Sequence, residues 1–404
     1  MPENVRLLLT IGPALAGAAF VACAGACAGA RAMAPRWGLL DRPGGHKGHA
    51  APVPLGGGVA IWLAVVLVLG VSGAVVVLDG AWLPEGVARH AVGLESKAGE
   101  LGVIVGLATV MMAMGFVDDR VGLGWKPRLA AQLGCAALVA ACGARVTLFG
   151  PFTHPLIGGA VTTLWIAAMT NAFNMLDNMD GLSASVGLIA AVLFGAAQAA
   201  VGGLFAPAML AIVAGALAGF LVHNHAPARL YMGDAGSNFL GFLLGSMTVA
   251  GNFFQEGLAS PFAVLTPLLV MAVPLYDMTS VILIRLSEGR SPFRPDRRHF
   301  SHRLVERGLT PPRAVWTIDL VTLACGLGAL LLHRLDAWGA AVVLAQAGCL
   351  LGIVAILEVS GAGSGSASRT ERTLGQARHE PSAPLPSGAG RPPGGDDAGP
   401  DPDL

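Results

Sequence analysis

The stretch NAFNMLDNMDG, Asn171 to Gly181, sets asparagines and aspartates between two segments, residues 156–170 and 182–201, that are too apolar to lie in water. Apolar walls of that length around a polar turn decide the fold class. Only a helix of about 20 residues satisfies its own backbone across a bilayer, so the chain is predicted to be an all-α, polytopic membrane bundle. Polar side chains at the end of a span are costly unless they do something. The stretch is therefore read as part of an active-site floor, the competing reading being a solvated turn of the kind that joins most membrane helices. Four further polar clusters at other helix ends favour the first reading, because alternation of spans puts all five on one side.

The bulk composition agrees. Of 404 residues, 54% are hydrophobic and 12% charged, and mean hydropathy is +0.66. A soluble domain carries about twice that charged share. Net charge is zero and no large basic patch is present, so no nucleic-acid partner is expected. Six cysteines lie in apolar runs without CxxC or zinc spacing, and they are read as small, reduced, buried side chains.

Eleven apolar stretches cross, or nearly cross, a bilayer: residues 5–33, 54–78, 101–117, 129–148, 156–170, 182–201, 204–222, 239–254, 262–286, 314–332 and 338–357. Gly and Ala fill most of them, which lets helices approach closely where lipid already satisfies apolar surface. The first is read as a span and not as a removed signal, since many spans follow it. Loops after the odd-numbered spans then share one face with the C-terminal tail. They hold fifteen Lys and Arg, counting Arg31 at the end of the first span, against five on the other face: Arg6, Arg89, Lys97, Arg145 and Arg334. The positive-inside bias predicts an inner (plasma) membrane protein, N-terminus outside, with the five loops and the tail cytoplasmic. Acids sort as well. The cytoplasmic loops favour Asp (Asp41, Asp118, Asp119, Asp177, Asp180, Asp234, Asp296) where the other face favours Glu, and short, stiff Asp suits a hard cation or a positioned hydrogen bond. Residues 1–358 are predicted to form the transmembrane domain. Residues 359–404, rich in Gly, Ser, Pro and charge, are predicted to be a disordered cytoplasmic tail.

Each cluster has its own chemistry. In the loop DRPGGHKGHAAPVPLGGG, Asp41 to Gly58, Lys47 with His46 and His49 can contact phosphate. At the end of the third span Asp118 and Asp119 repel one another, and a metal ion or the nearby Arg120, Lys126 and Arg128 would keep both ionised. In the quoted stretch Asn174, Asp177 and Asp180 recur every three residues, sharing one face if that turn is helical, while Asn171 caps or fixes the loop. In HNHAPARLYMGDAGSNFLG, His223 to Gly241, Gly233 and Gly236 flank Asp234, and Ser237 or Asn238 is expected to cap the next helix. Backbone N–H groups at that helix start would favour phosphate, Arg229 would add a bidentate contact, and Tyr231 offers a face for a base or an interfacial anchor. In the fifth loop, Gly289 to Thr310, Arg294, Arg297, Arg298 and Arg303 are expected to crowd around His299 and His302, unless the loop only contacts lipid headgroups. Carboxylates for a divalent cation beside cations for phosphate point to phosphoryl chemistry on a nucleotide-activated substrate. No Walker, kinase or HExxH motif is present.

Four motifs, FVDDRVGL, NAFNMLDNMDGLSA, PARLYMGDAGSNFLGF and SPFRPDRRHFSHRL, resemble those of the polyprenyl-phosphate N-acetylhexosamine-1-phosphate transferases. That group includes the undecaprenyl-phosphate N-acetylglucosamine-1-phosphate transferases of O-antigen and teichoic-acid assembly and the phospho-MurNAc-pentapeptide translocase of peptidoglycan. The likeness spans roughly residues 30 to 315 and implies transfer of a HexNAc-1-phosphate from a UDP-sugar to a polyprenyl phosphate, with release of UMP and with Mg²⁺, or Mn²⁺ in its place, as cofactor. It implies that Asp234 and Asn174 hold the metal, and that Asp118 and Asp119 orient or deprotonate the lipid phosphate, either one serving as base. Asp177 and Asp180 match residues at the nucleotide and sugar site, and Tyr231 matches an aromatic that stacks on uracil, with Asn224 nearby. His299 and His302 match members of a basic histidine motif expected at phosphate. Lys47, His49, Asn171, Arg229 and Arg298 are counted with the substrate-binding residues. The chain departs from the pattern at Ser301, where a further histidine is usual, and at Asn178, where glycine is commoner. The motifs are closer to the N-acetylglucosamine type than to the pentapeptide translocase, which is the alternative. A homodimer is an open expectation. A transporter of anionic nucleotide or sugar phosphate is the alternative from another class; it would show paired interrupted helices and a midplane site, whereas only Asp277 and Asp319 lie within spans. Both are read as hydrogen-bonded inside the bundle.

Overall fold

The computed structural model describes residues 3–41, 52–78, 91–146, 154–254, 260–293 and 298–360. Lys47, His49, Arg294, Arg297 and residues 361–404 lie outside the described residues. Thirteen helices are described: α1 (Glu3–Trp37), α2 (Gly57–Leu78), α3 (Ala91–Val121), α4 (Trp125–Ala141), α5 (Pro155–Leu176), α6 (Leu182–Ala200), α7 (Phe205–Asn224), α8 (Gly233–Ala250), α9 (Thr266–Val270), α10 (Ala272–Ser287), α11 (Phe300–Glu306), α12 (Pro311–Ala329) and α13 (Ala337–Ser360).

Each of the eleven apolar stretches lies for the most part on these helices. Among the described residues eight, namely α1, α2, α3, α5, α6, α7, α12 and α13, are long and apolar enough to cross a membrane. A further apolar pair is bent: the segment Pro261–Val270, which ends in α9, meets α10 at 59°, and the two make a ninth crossing if taken as one broken span. The bend has a local cause, since Pro274 has no N–H for the carbonyl of Val270, the residue at which α9 ends. The remaining two differ from the simple expectation of apolar spans. The 17-residue α4 opens with Lys126 and Arg128, and the 18-residue α8 carries Asp234, Ser237, Asn238, Ser246 and Thr248. The polarity of α8 has a packing reason. Every residue from Ala235 to Thr248 is buried, so its side chains meet other helices instead of lipid.

Helix α8 is the axis of the bundle, packed against α2, α3 and α5. The α2 crossing is close enough that a Cβ on Gly58 would lie 2.1 Å from the backbone nitrogen of Gly236, so glycine is required there. Large rings fill the interior, with Phe173, Phe194, Phe220, Phe239 and Phe242 all fully buried. Leu and Val dominate the outside, as at Val21 of α1 and Leu320 of α12, which makes the chain a multi-pass membrane protein. A two-residue antiparallel pair, β1 (Leu40–Asp41) with β2 (Val53–Pro54), closes the base of the first polar loop. From there Pro54 O accepts from Tyr231 N (2.9 Å), while Gly57 N donates to Tyr231 O (3.0 Å), stitching the first loop to the fourth. The cysteines are free, as expected, but Cys142 and Cys349 are exposed on the outer surface and not buried.

Candidate active site

Four helix ends meet at one end of the bundle: the C-termini of α3 and α5 and the N-termini of α4 and α8. The quoted stretch is less of a loop than its polarity suggests. Helix α5 runs through it to Leu176, so Asn171 and Asn174 sit on its last turns, and Asp177 closes the helix with φ −77° and ψ 56°. Asn174, Asp177 and Asp180 therefore do not share a helical face; the chain turns between them.

At the centre lies Arg128. Its Nη1 donates to Asp118 Oδ2 at 2.6 Å and reaches Asp234 Oδ2 at 3.4 Å, and its Nη2 donates to Asn174 Oδ1 at 2.9 Å. Asn174 turns its amide nitrogen to Asp234 Oδ1 (2.6 Å) and Ser237 Oγ (3.0 Å). Three oxygens from α3, α5 and α8 thus converge on one cationic group. A divalent cation needs the same convergence of hard oxygen donors, and Mg²⁺ is usually held by one or two carboxylates with substrate phosphates and water completing its shell. Among the described residues no group of three His, Cys, Asp or Glu could form a closed metal cage. Asp234 and Asn174 present two oxygens of the hard-donor kind that such a cation takes.

The two adjacent aspartates do different work. Asp118, 6% exposed, accepts from Leu123 N (2.6 Å) as well as from Arg128, so the basic residue beside it answers its charge. Asp119 faces the other way: its Oδ1 accepts from Asp234 N (2.8 Å) and its Oδ2 from Ala235 N (3.1 Å). The backbone donors expected to greet a phosphate at the start of α8 are thus satisfied by a carboxylate from α3, and Ser237 and Asn238, expected as caps, lie inside the helix. Gly233 makes room, with φ +71° and with Asp119 Oδ2 only 2.6 Å from where a Cβ would stand. Both oxygens of Asp119, expected at the lipid phosphate, are thus also engaged in holding the helix terminus.

A buried amide relay holds the arrangement. Asn171 Nδ2 donates to Gln132 Oε1 (2.7 Å), Gln132 Nε2 to Asn238 Oδ1 (3.0 Å), and Asn238 Nδ2 to Asp234 O (2.8 Å). Asn171 therefore ties α5 to α4 through its amide nitrogen. Gln132 escaped the sequence analysis, although a glutamine four residues after Arg128 in an apolar helix marks the same face.

Next to this centre is the acid loop. Asp180 Oδ2 accepts from Ala228 N (2.9 Å), and Asn224, 4% exposed, accepts from Gly181 N (3.0 Å) and donates to Leu230 O (2.9 Å). Asn224 is thereby a brace between loops, with its side chain spent on backbone. Tyr231 faces Asp180; loss of solvent first, and then the acids around it, push its phenol up to about 12. Arg229 is exposed. At Asp177, loss of solvent and then the charges of Asp234, Asp119 and Asp180 push the carboxyl up to about 8.

A stability prediction follows from the sign of that shift. The folded protein binds this proton more tightly than the unfolded chain, so its contribution is full below about pH 4 and lost as pH rises towards 8. Without divalent cations, wild-type protein should melt lower at pH 9 than at pH 6, and Asp177→Asn should shrink that gap. Equal gaps in the two proteins would refute the assignment.

The histidines sit on the rim. His299, 7% exposed, places Nδ1 3.0 Å from Asp277 Oδ2, while Asp277 Oδ1 accepts from Phe300 N at 2.6 Å and so caps α11. Asp277 is indeed hydrogen-bonded inside the bundle, and it also fixes the histidine ring through Nδ1. His302 follows one turn on, with ring centroids 6.4 Å apart. Of the four arginines expected around them, Arg294 and Arg297 lie outside the described residues, Arg298 pairs with Glu288, and Arg303 turns inward to Ser280 Oγ (2.9 Å) and Glu358 (3.0 Å). Trp125 stacks on Phe293 at 4.0 Å and 8°, joining the second polar loop to the fifth.

Residues 101–252, which carry Asp118, Arg128, Asn174 and Asp234, match the family described as Glycosyl transferase family 4. The chain is 33% identical over 314 residues to the decaprenyl-phosphate N-acetylglucosaminephosphotransferase of Mycolicibacterium smegmatis, covering 72% of this chain and 74% of that protein. It is 28% identical over 317 residues to the probable undecaprenyl-phosphate N-acetylglucosaminyl 1-phosphate transferase of Bacillus subtilis, covering 76% and 80%. To the undecaprenyl-phosphate alpha-N-acetylglucosaminyl 1-phosphate transferase of Escherichia coli it is 28% identical over 315 residues, covering 74% and 77%. With its motifs gathered at one end of a membrane bundle and such relatives over most of its length, the chain belongs to the polyprenyl-phosphate N-acetylhexosamine-1-phosphate transferase superfamily.

Proposed function

We propose that this protein transfers N-acetylglucosamine-1-phosphate from UDP-N-acetylglucosamine to a polyprenyl phosphate at the cytoplasmic face of the plasma membrane, in cell-envelope polysaccharide assembly. The observation that carries this reading is the convergence of Asp118, Asn174 and Asp234 on one cation at a single end of the bundle. A lipid phosphate oxygen attacks the sugar-bearing phosphorus of the donor, the new P–O bond forms, and the bond to the UMP oxygen breaks with its electron pair leaving on UMP. The nucleophile is already an anion, so the barrier lies in bringing anions together. Mg²⁺, or Mn²⁺ in its place, held by Asp234 and Asn174, supplies charge neutralisation on the diphosphate when bound.

The chain's own residues do the rest. Arg128, released in part from Asp118 and Asp234, offers a fork of donors to phosphate oxygens. His299, oriented by Asp277, stands at the rim with His302 beside it. Tyr231 and the braced loop at Asp180 and Asn224 form a wall for the nucleoside. Counted with α4 and α8, the spans number eleven in this reading, and the positive-inside bias then favours the cytoplasm for the basic loops and the outside for the N-terminus.

Purified protein should exchange labelled UMP into UDP-N-acetylglucosamine only when polyprenyl phosphate and Mg²⁺ are both present. Preference for UDP-MurNAc-pentapeptide in a competition of the two donors would move the protein to the translocase branch. Uptake of nucleotide sugar into proteoliposomes without UMP release would replace the enzyme by a transporter.

A further inference from the structure

The acid loop and the histidine helix are more than a hundred residues apart in the chain, yet they are joined side chain to side chain. Ser301, 1% exposed on the first turn of α11, donates its hydroxyl to Asn178 Oδ1. The same amide donates through Nδ2 to Met175 O at 2.7 Å, at the C-terminal end of α5. Site residues stand close by on both sides: Asp177 and Asp180 near Asn178, His299 and His302 near Ser301. The pair thus ties α5, the acid loop and α11 into one unit.

These are also the two positions at which the sequence departs from the pattern it otherwise resembles, with glycine commoner at 178 and histidine usual at 301. Their meeting in one hydrogen bond gives the departures a common cause. A glycine at 178 would leave the buried Ser301 hydroxyl without this acceptor. A histidine at 301 would drive a ring into the enclosed space that the Asn178 side chain borders. Either change alone is mismatched, and the two together remove both faults.

We propose that Asn178 and Ser301 form a positioning pair that seats His299 and His302 against the Asp177–Asp180 loop. Neither residue touches reacting atoms; the pair acts through the residues it holds. What the seating serves rests on the transferase reading, whereas the seating itself rests on the contact.

The test uses the full-length protein in detergent. Backbone hydrogen exchange over residues 300–306, read without substrate, should be about fivefold to tenfold faster in Asn178→Ala and in Ser301→Ala, with the double alanine variant no faster than either. In UMP exchange, Asn178→Gly and Ser301→His should each lower kcat about tenfold, with KM for the UDP-sugar within about twofold, and the double swap should recover most of the loss. Unchanged hydrogen exchange in both alanine variants overturns the pair. So does a double swap whose loss equals the product of the single losses. Coupled hydrogen exchange across the alanine variants, with no UMP exchange by the wild type, supports the pair while removing the transferase reading.

Discussion

Replacing Asp234 by asparagine is expected to lower UMP exchange at least about a thousandfold, or ~4 kcal/mol of barrier, while leaving thermal melting close to wild type. The change is isosteric and keeps most of the local contacts. Asn174 Nδ2 can still donate to the remaining oxygen, the backbone N–H of residue 234 still meets Asp119, and its carbonyl still accepts from Asn238. What disappears is the negative charge at the point where Asp118, Asn174 and Arg128 meet. The new amide also turns a donor towards Arg128 Nη1, which now sits 3.4 Å from a carboxylate oxygen. Binding of Mn²⁺, followed by electron paramagnetic resonance, should weaken in parallel. A variant that exchanges UMP at the wild-type rate would remove Asp234 from the metal site.

Much of this was legible because membrane helices announce themselves in composition. Apolar stretches at 5–33 or 182–201 cannot do much else than span, and polar residues at their ends stand out against such a background. The bend between α9 and α10 was less visible, since Pro274 marks a break only once the stretch is known to be helical on both sides. The roles within the site were harder still. Asp118 and Asp119 are chemically identical neighbours, and their division of labour depends on which way each points from the last turn of α3. One turns to Arg128, ten residues on; the other reaches an amide 115 positions away. Local spacing predicts the first kind of contact and not the second. The same limit explains Ser237 and Asn238: both are good capping residues by type, but the cap arrives from another helix. Gln132 was missed because a lone amide in an apolar helix signals only that it is satisfied, not by whom.

Asp119→Ala is expected to destabilise the protein by about 3 kcal/mol, because it strips two buried backbone N–H groups of a charged acceptor, each such bond contributing roughly 1.5–3 kcal/mol in general. Asp119→Asn should cost about half as much, since an amide oxygen can still accept one of the two bonds. Activity should follow the same order. The Asp234 amide is itself one of the donors, so loosening the start of α8 shifts the Asp234 carboxylate relative to Asn174 and Arg128. Exchange is then lost more severely in the alanine variant than in the asparagine variant. A catalytic base behaves otherwise: neither alanine nor asparagine can take a proton, so both would abolish turnover equally while melting with the wild type. Reversible unfolding in mixed micelles, read beside UMP exchange, separates the two. Equal loss of rate at unchanged stability would place Asp119 at the lipid phosphate; graded loss of both would establish it as the residue that holds the metal-site helix by its end.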